Sequence, residues 1–316
     1  MKRSLILFLL FAVSSQAYEA GTSGLLFLRL GAGARAGGMG EAQTAVSSGG
    51  TALYWNPAGL SLSSADLYVS HKEWILSTRQ EFLGMSYPLS GGERGTLGFG
   101  LTALTMDEME LYEGPGDPVG HFSAFDMAFH LAWGGSFGFL PEGLHLGMGT
   151  KWIYSRLHED SARGLLFDAG ALLETKIPGL TFAGVLQHFG QAMKYREETF
   201  SAPLTMKAGL AWRPPMILDG SALLAYDLLL VGDGDISSDD AIGEAKAMNT
   251  RHHLGFEFDY QQIASLRVGY KYGYESQGLT AGGTIHWGRY YLDYAFMNLL
   301  NDLGNSHHFG ISVDLH

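Results

Sequence analysis

Beyond about residue 65 the chain is a succession of short segments in which apolar residues alternate with small, polar or charged ones. In one, Leu266, Val268, Tyr270, Tyr272 and Tyr274 alternate with Arg267, Gly269, Lys271 and Gly273. In another, Leu254, Phe256, Phe258 and Tyr260 alternate with His253, Gly255, Glu257 and Asp259. A third sets Phe125, Met127, Phe129, Leu131 and Trp133 against Asp126, Ala128, His130 and Gly134; the last sets Phe309, Ile311, Val313 and Leu315 against Gly310, Ser312, Asp314 and His316. Successive side chains of a strand point to opposite faces, so each segment carries one apolar and one mixed face. Fourteen such segments are read at 66–74, 80–89, 95–104, 123–135, 144–157, 164–175, 180–189, 204–213, 220–230, 251–260, 264–274, 278–287, 290–298 and 306–315. Most run about ten residues, the length a tilted strand needs to cross a bilayer.

A soluble sandwich would alternate in the same way. Two features favour a transmembrane antiparallel up-and-down barrel of about 14 strands. Many apolar faces end in an aromatic residue (Trp133, Trp152, Tyr154, Trp212, Tyr260, Tyr274, Trp287), as interfacial girdles require. Connections also alternate in length. Short turns fall at 90–94, 137–143, 176–179, 214–219, 261–263 and 288–289; longer or more polar loops fall at 75–79, 105–122, 158–163, 190–203, 231–250, 275–277 and 299–305. Short periplasmic turns and longer outer loops are the mark of an outer-membrane barrel. Composition agrees: 44 glycines in 316 residues, 12% aromatic and only 16% charged residues dilute the apolar content as alternating strands do.

The first 17 residues read as a signal peptide, with Lys2 and Arg3 ahead of an apolar run and Ser15-Gln16-Ala17 before the expected cut at Tyr18. The run is too short to span a membrane, which takes roughly 20 residues. Its removal leaves 18 basic residues against 32 acidic ones, a balance that argues against nucleic acid. The chain has no cysteine, so neither a lipid-anchored cysteine nor a disulfide is available. The domain reading is therefore a signal peptide at 1–17, a plug segment at 18–65 and a barrel at 66–316. The plug is rich in Gly, Ala and Ser, with a short helix expected near 40–46. A fourteen-stranded barrel has a lumen wide enough to need filling or to conduct water.

The plug segment carries a family resemblance. The run Phe27-Leu28-Arg29-Leu30-Gly31-Ala32-Gly33-Ala34-Arg35-Ala36-Gly37-Gly38-Met39-Gly40-Glu41-Ala42, followed by Ala52-Leu53-Tyr54-Trp55-Asn56-Pro57-Ala58-Gly59-Leu60, resembles the PorV/PorQ family. That family is itself similar to FadL-type long-chain fatty-acid transporters, fourteen-stranded barrels with an N-terminal hatch. The resemblance implies a bacterial outer-membrane barrel that binds or shuttles secreted cargo in a type IX-like secretion or surface-attachment system, with cargo or other secretion proteins as partners. The alternative is a FadL-like channel for hydrophobic small molecules; an open aqueous porin is a third reading. The plug motif residues are Arg35, Gly37, Gly38, Met39, Gly40, Trp55, Asn56 and Pro57. Asn56 before Pro57 suits a helix start, and Arg35 is expected to pair with a lumen carboxylate such as Asp126, Asp168, Glu257 or Asp293.

No catalytic constellation stands out, so the chain is read as a non-enzyme without metal or cofactor. Gly31-x-Gly33-x-x-Ala36 matches a dinucleotide fingerprint in letters but lacks its strand–helix–strand context. The pairs His252-His253 and His307-His308 would face opposite sides of a strand and make poor metal clamps. Asp233, Asp235, Ser237, Asp239 and Glu244 have calcium-loop spacing, but Ser238 stands where the turn needs glycine. Acidic loops with interleaved apolar residues (Asp107, Met109, Leu111 and Tyr112 in one, Asp233 and Asp235 in another) are the candidate partner-binding surfaces. In the wall, Phe256, Val268 and Phe129 should meet lipid, and Glu257, Arg267 and Asp126 the lumen. Arginine at Val268 is expected to impair assembly more than serine at Gly269.

Overall fold

The computed structural model describes residues 24–111, 114, 117–118, 120–196, 198–215, 220–231 and 249–315. Among these, fourteen strands close into one antiparallel barrel. They are β1 (Asp66–Glu73), β2 (Thr78–Pro88), β3 (Thr96–Met106), β6 (Ala124–Gly135), β7 (Leu144–Leu157), β8 (Asp160–Glu174), β9 (Leu180–Gly190), β12 (Thr205–Trp212), β13 (Gly220–Val231), β14 (Asn249–Tyr260), β15 (Ala264–Tyr272), β16 (Gln277–Trp287), β17 (Tyr290–Leu299) and β18 (Asn305–Asp314). Each pairs with its neighbour around the ring, and β1 closes on β18 with Asp66 opposite Asp314. Closure leaves no free edge, which is what lets a sheet sit in lipid.

All fourteen expected segments appear as barrel strands, within four residues at either end. Two expected loops contain structure of their own. Residues 105–122 include a hairpin of β4 (Met109–Leu111) and β5 (Gly120–Phe122), and 190–203 include a hairpin of β10 (Met193–Tyr195) and β11 (Glu198–Phe200). The expected loop at 158–163 shrinks to a tight turn, because β8 starts at Asp160 and His158 takes a left-handed φ of 54°.

Alternation sorts the wall as expected. Phe129, Phe256 and Val268 are exposed on the outer face, together with Leu83, Phe99, Leu131, Leu254 and Ile311. Arg267 is buried and Glu257 half-buried on the inner face, and Asp126 accepts a hydrogen bond from Ser155 Oγ there. Each histidine pair splits across the wall: His253 and His308 are buried within, while His252 and His307 bond Tyr226 and Tyr294 at 2.8 and 2.9 Å. Of the expected girdle, Trp152, Trp212, Tyr260 and Trp287 are exposed. Tyr274 is not part of it. Two residues past the end of β15, it turns inward and its hydroxyl bonds His253 Nε2 at 2.7 Å.

Residues 24–65 lie against the inner wall. They form η1 (Leu26–Arg29), α1 (Ala34–Gly38), η2 (Gly49–Thr51), α2 (Ala52–Trp55) and η3 (Pro57–Leu62). The helical turn expected at 40–46 is displaced to 34–38. There Gly33, at φ 94°, opens the turn. Past it, Glu41 adopts φ 64° and its N–H returns to the Ala36 carbonyl, which ends the helix. Asn56 behaves as expected: its side chain accepts from Ala58 N at the start of η3, with Pro57 in the first position.

Candidate functional site

The lumen is a charged framework built jointly by the N-terminal segment and the inward residues of the strands. Arg35 reaches β14 as a fork, Nε and one terminal nitrogen bonding the Glu257 carboxylate at 2.9 and 2.8 Å. Such bidentate pairs fix geometry as well as charge. Of the four carboxylates considered for it, Glu257 is the partner. The same carboxylate takes Arg267 Nε at 2.5 Å, and Arg267 continues to Asp293 at 3.2 Å. A second node is Glu41, paired with Lys271 Nζ at 2.5 Å and with Lys72 Nζ at 4.0 Å. Burial works to raise the Glu41 carboxyl, but the Lys271 and Lys72 ammonium groups outweigh it and hold it down at about 2. A third node is Asp227, which accepts from Gln43 N, Thr44 N and Thr44 Oγ1 at 2.8, 2.9 and 2.8 Å. Sequence reading named none of Lys72, Asp227 or Lys271 as anchors. Strand parity places all three inward, which is the one signal that could have found them.

The remaining motif residues pack tightly. Met39 is fully buried among Ala42, Ala211, Leu223 and Ala225. Gly37 lies against His308 and Gly38 against Gly282. Gly40 donates to Thr280 Oγ1 at 3.0 Å. At φ 61° its backbone is pressed so closely on β14 and β15 that a Cβ would stand 2.6 Å from Leu254 O. On the wall side, a Cβ at Gly269 would stand 2.1 Å from Gly40 N. Gly269 is therefore where the segment rests on the barrel, so a serine there meets the segment rather than open lumen. Trp55 Nε1 donates to Ala32 O at 3.0 Å, and Lys207 Nζ sits 4.8 Å from its ring centre. Asn56 Nδ2 donates to Thr44 O at 2.9 Å, and the buried Pro57 lies over Gly147.

Above this framework, at the long-loop end, the chemistry changes. Leu25, Phe27 and Leu28 pack with Met193, Ala202, Tyr195 and Phe200 against Ala128, Ile153, Ala162 and Leu166 of β6, β7 and β8. The hairpin β10–β11 thus turns its apolar residues into the barrel mouth. Next to Leu166 lies the Lys151–Asp168 pair at 2.7 Å, a charged floor under this packed apolar cluster. At that level the β8–β9 ladder slips: the register shifts between Phe167 and Ala169, and Asp168 accepts the N–H of His188, whose φ is 62°.

The expected partner loops are placed only in part. Asp107 pairs with Arg79. Met109 and Leu111 form β4, Met109 being 40% exposed. Tyr112, Asp233, Asp235 and the calcium-like spacing lie outside the described residues.

Solved structures share this architecture almost end to end. The CymD monoaromatic hydrocarbon channel superposes over 93% of this chain and 99% of its own, with a TM-score of 0.61 at 12% identity. The toluene transporter TodX of Pseudomonas putida covers 89% of this chain and 96% of its own, at TM-score 0.59 and 13% identity. The chain has the fold of these channels. A FadL homologue of Pseudomonas aeruginosa matches over 90% and 98% of the two chains, at TM-score 0.53 and 11% identity. No family model matches the sequence, and no curated protein does. The PorV/PorQ resemblance of residues 27–60 has no counterpart among these matches, so the secretion role it implies gains no support from them.

Proposed function

We propose that the protein is a bacterial outer-membrane channel that admits small hydrophobic molecules. The observation that carries this reading is the packed apolar cluster at the long-loop mouth, seated on a charged floor. An apolar solute gains roughly 25 cal/mol for each Å² it removes from water, so this cluster, once its side chains part, collects hydrophobic solutes at the outer face. The ion pairs below it make the axial path costly for the same solutes, because passage breaks buried charge pairs. The β8–β9 slip at floor level, flanked outside by Phe167 and Phe189, offers a way through the wall into the bilayer. The fold shared with a hydrocarbon channel and a toluene transporter points the same way.

The mouth is filled by the chain's own Leu25, Phe27, Met193 and Phe200, so uptake requires these side chains to yield. The test is the uptake of radiolabelled toluene by cells that carry the protein in their outer membrane, against cells without it. Faster uptake that falls in a Phe27→Asp variant supports the channel. Unchanged toluene uptake, with secreted proteins lost from the cell surface when the gene is deleted, returns the reading to secretion.

A further inference from the structure

A cavity of about 370 Å³ opens at the short-turn end of the barrel, under the N-terminal segment and away from the apolar mouth. That volume lies within the range of small-molecule sites, roughly 300–1,000 Å³. Five carboxylates line it, and each already accepts hydrogen bonds from the protein. Glu257 takes Arg35 and Arg267, and Asp293 takes Arg267 and Thr284. Asp259 takes Gln262 N and Ser265 Oγ at 2.9 and 2.7 Å. Asp66 takes Gly50 N and Ser86 Oγ, and Asp314 takes Ser64 Oγ at 3.2 Å.

The hydrogen-bonding capacity left over belongs to donors. Gln43 is 2% exposed and lines the cavity, yet its Nε2 has no partner among the described residues. A buried amide N–H without a partner costs about 1–3 kcal/mol, so the position is suited to a ligand acceptor. Arg213, one residue past β12, lines the same cavity, and its guanidinium makes no hydrogen bond or ion pair among the described residues. Arg213 is exposed; burial and then the like charge of Arg35 work against its cation, and the Glu257 and Glu174 carboxylates work for it. Trp55, Val46 and Leu62 supply apolar wall next to these donors.

We infer that this cavity is a binding site for a small organic carboxylate, held by the Arg213 guanidinium and the Gln43 amide with its carbon skeleton against Trp55. The site stands independently of the channel reading, since it can be measured on detergent-purified protein without transport.

Isothermal titration calorimetry with sodium hexanoate and sodium benzoate tests it, with sodium sulfate and hexylamine hydrochloride as comparison ligands. Saturable binding of a carboxylate is expected, weakened at least tenfold in Arg213→Gln and severalfold in Gln43→Leu, and unchanged in Arg289→Gln at a nearby turn. Each variant is first shown to be folded by its compact migration on an unheated gel. Absence of saturable carboxylate heat in the folded wild type overturns the inference. So does binding that both cavity variants leave intact, binding lost equally in Arg289→Gln, or sulfate binding as tightly as the carboxylates.

Discussion

Gly269 and Val268 are sequence neighbours with opposite surroundings, and they show how much a single residue's face decides. Val268 is exposed on the outer wall. Arginine there costs about 2–4 kcal/mol at mid-bilayer depth, so Val268→Arg is expected to lower the yield of folded, heat-modifiable barrel. Gly269→Ser should leave the barrel assembled but push α1 off the wall, because its Cβ would collide with Gly40 N. The expected readout is a raised single-channel conductance in planar bilayers with normal assembly. Glu41 supplies a pH prediction at the same scale. Its carboxyl is held at about 2, below its ordinary 4.5, so its anchoring contribution is present above pH 4.5 and is lost as pH falls towards 2. Conductance should therefore stay low from neutral pH to about 4.5 and rise on further acidification, while Glu41→Gln should conduct already at neutral pH. The faces of Val268 and Glu257 were legible in the sequence, because alternation alone assigns them. The role of Gly269 was not, since it depends on which backbone lies across it.

At the scale of elements, strands were legible and short structures were not. A segment with ten residues of strict alternation announces its strand. The hairpins β4–β5 and β10–β11 have three-residue arms, too short to show a period. The helical turn at 34–38 was misplaced to 40–46 because Gly37 and Gly38 argue against helix on propensity, while here packing against β15–β18 holds them in it. The β8–β9 slip belongs to this scale, and the absence of cysteine makes it easy to probe. Phe167→Cys with Phe189→Cys introduces a cross-strand pair on the outer face beside the slip. Oxidation of that pair should cut toluene uptake severalfold, and reduction should restore it, with little change in ion conductance. Uptake that is indifferent to the redox state would remove the lateral route.

For the molecule as a whole, fourteen strands and their order were readable because closure, alternation and connection length all point to one solution. The apolar mouth was not, since its residues come from η1, three strands and a hairpin that are distant in sequence. The short motif around Arg35 and Trp55 suggested secretion, whereas the fold built over nearly the whole chain is shared with a hydrocarbon channel and a toluene transporter, which supports the proposed channel reading. Removal of residues 25–60 should raise ion conductance at least severalfold over the intact barrel, because the Arg35, Glu41 and Asp227 nodes then lose their partners and the lumen empties. A large steady conductance from the intact protein would contradict a filled lumen.

The most direct test of the central claim is the initial rate of radiolabelled toluene uptake by cells displaying the protein, compared with cells displaying Phe27→Asp at equal outer-membrane levels. A rate above that of cells lacking the protein, falling back to it in the variant, is the predicted result. An intact protein that adds nothing to toluene uptake contradicts the account.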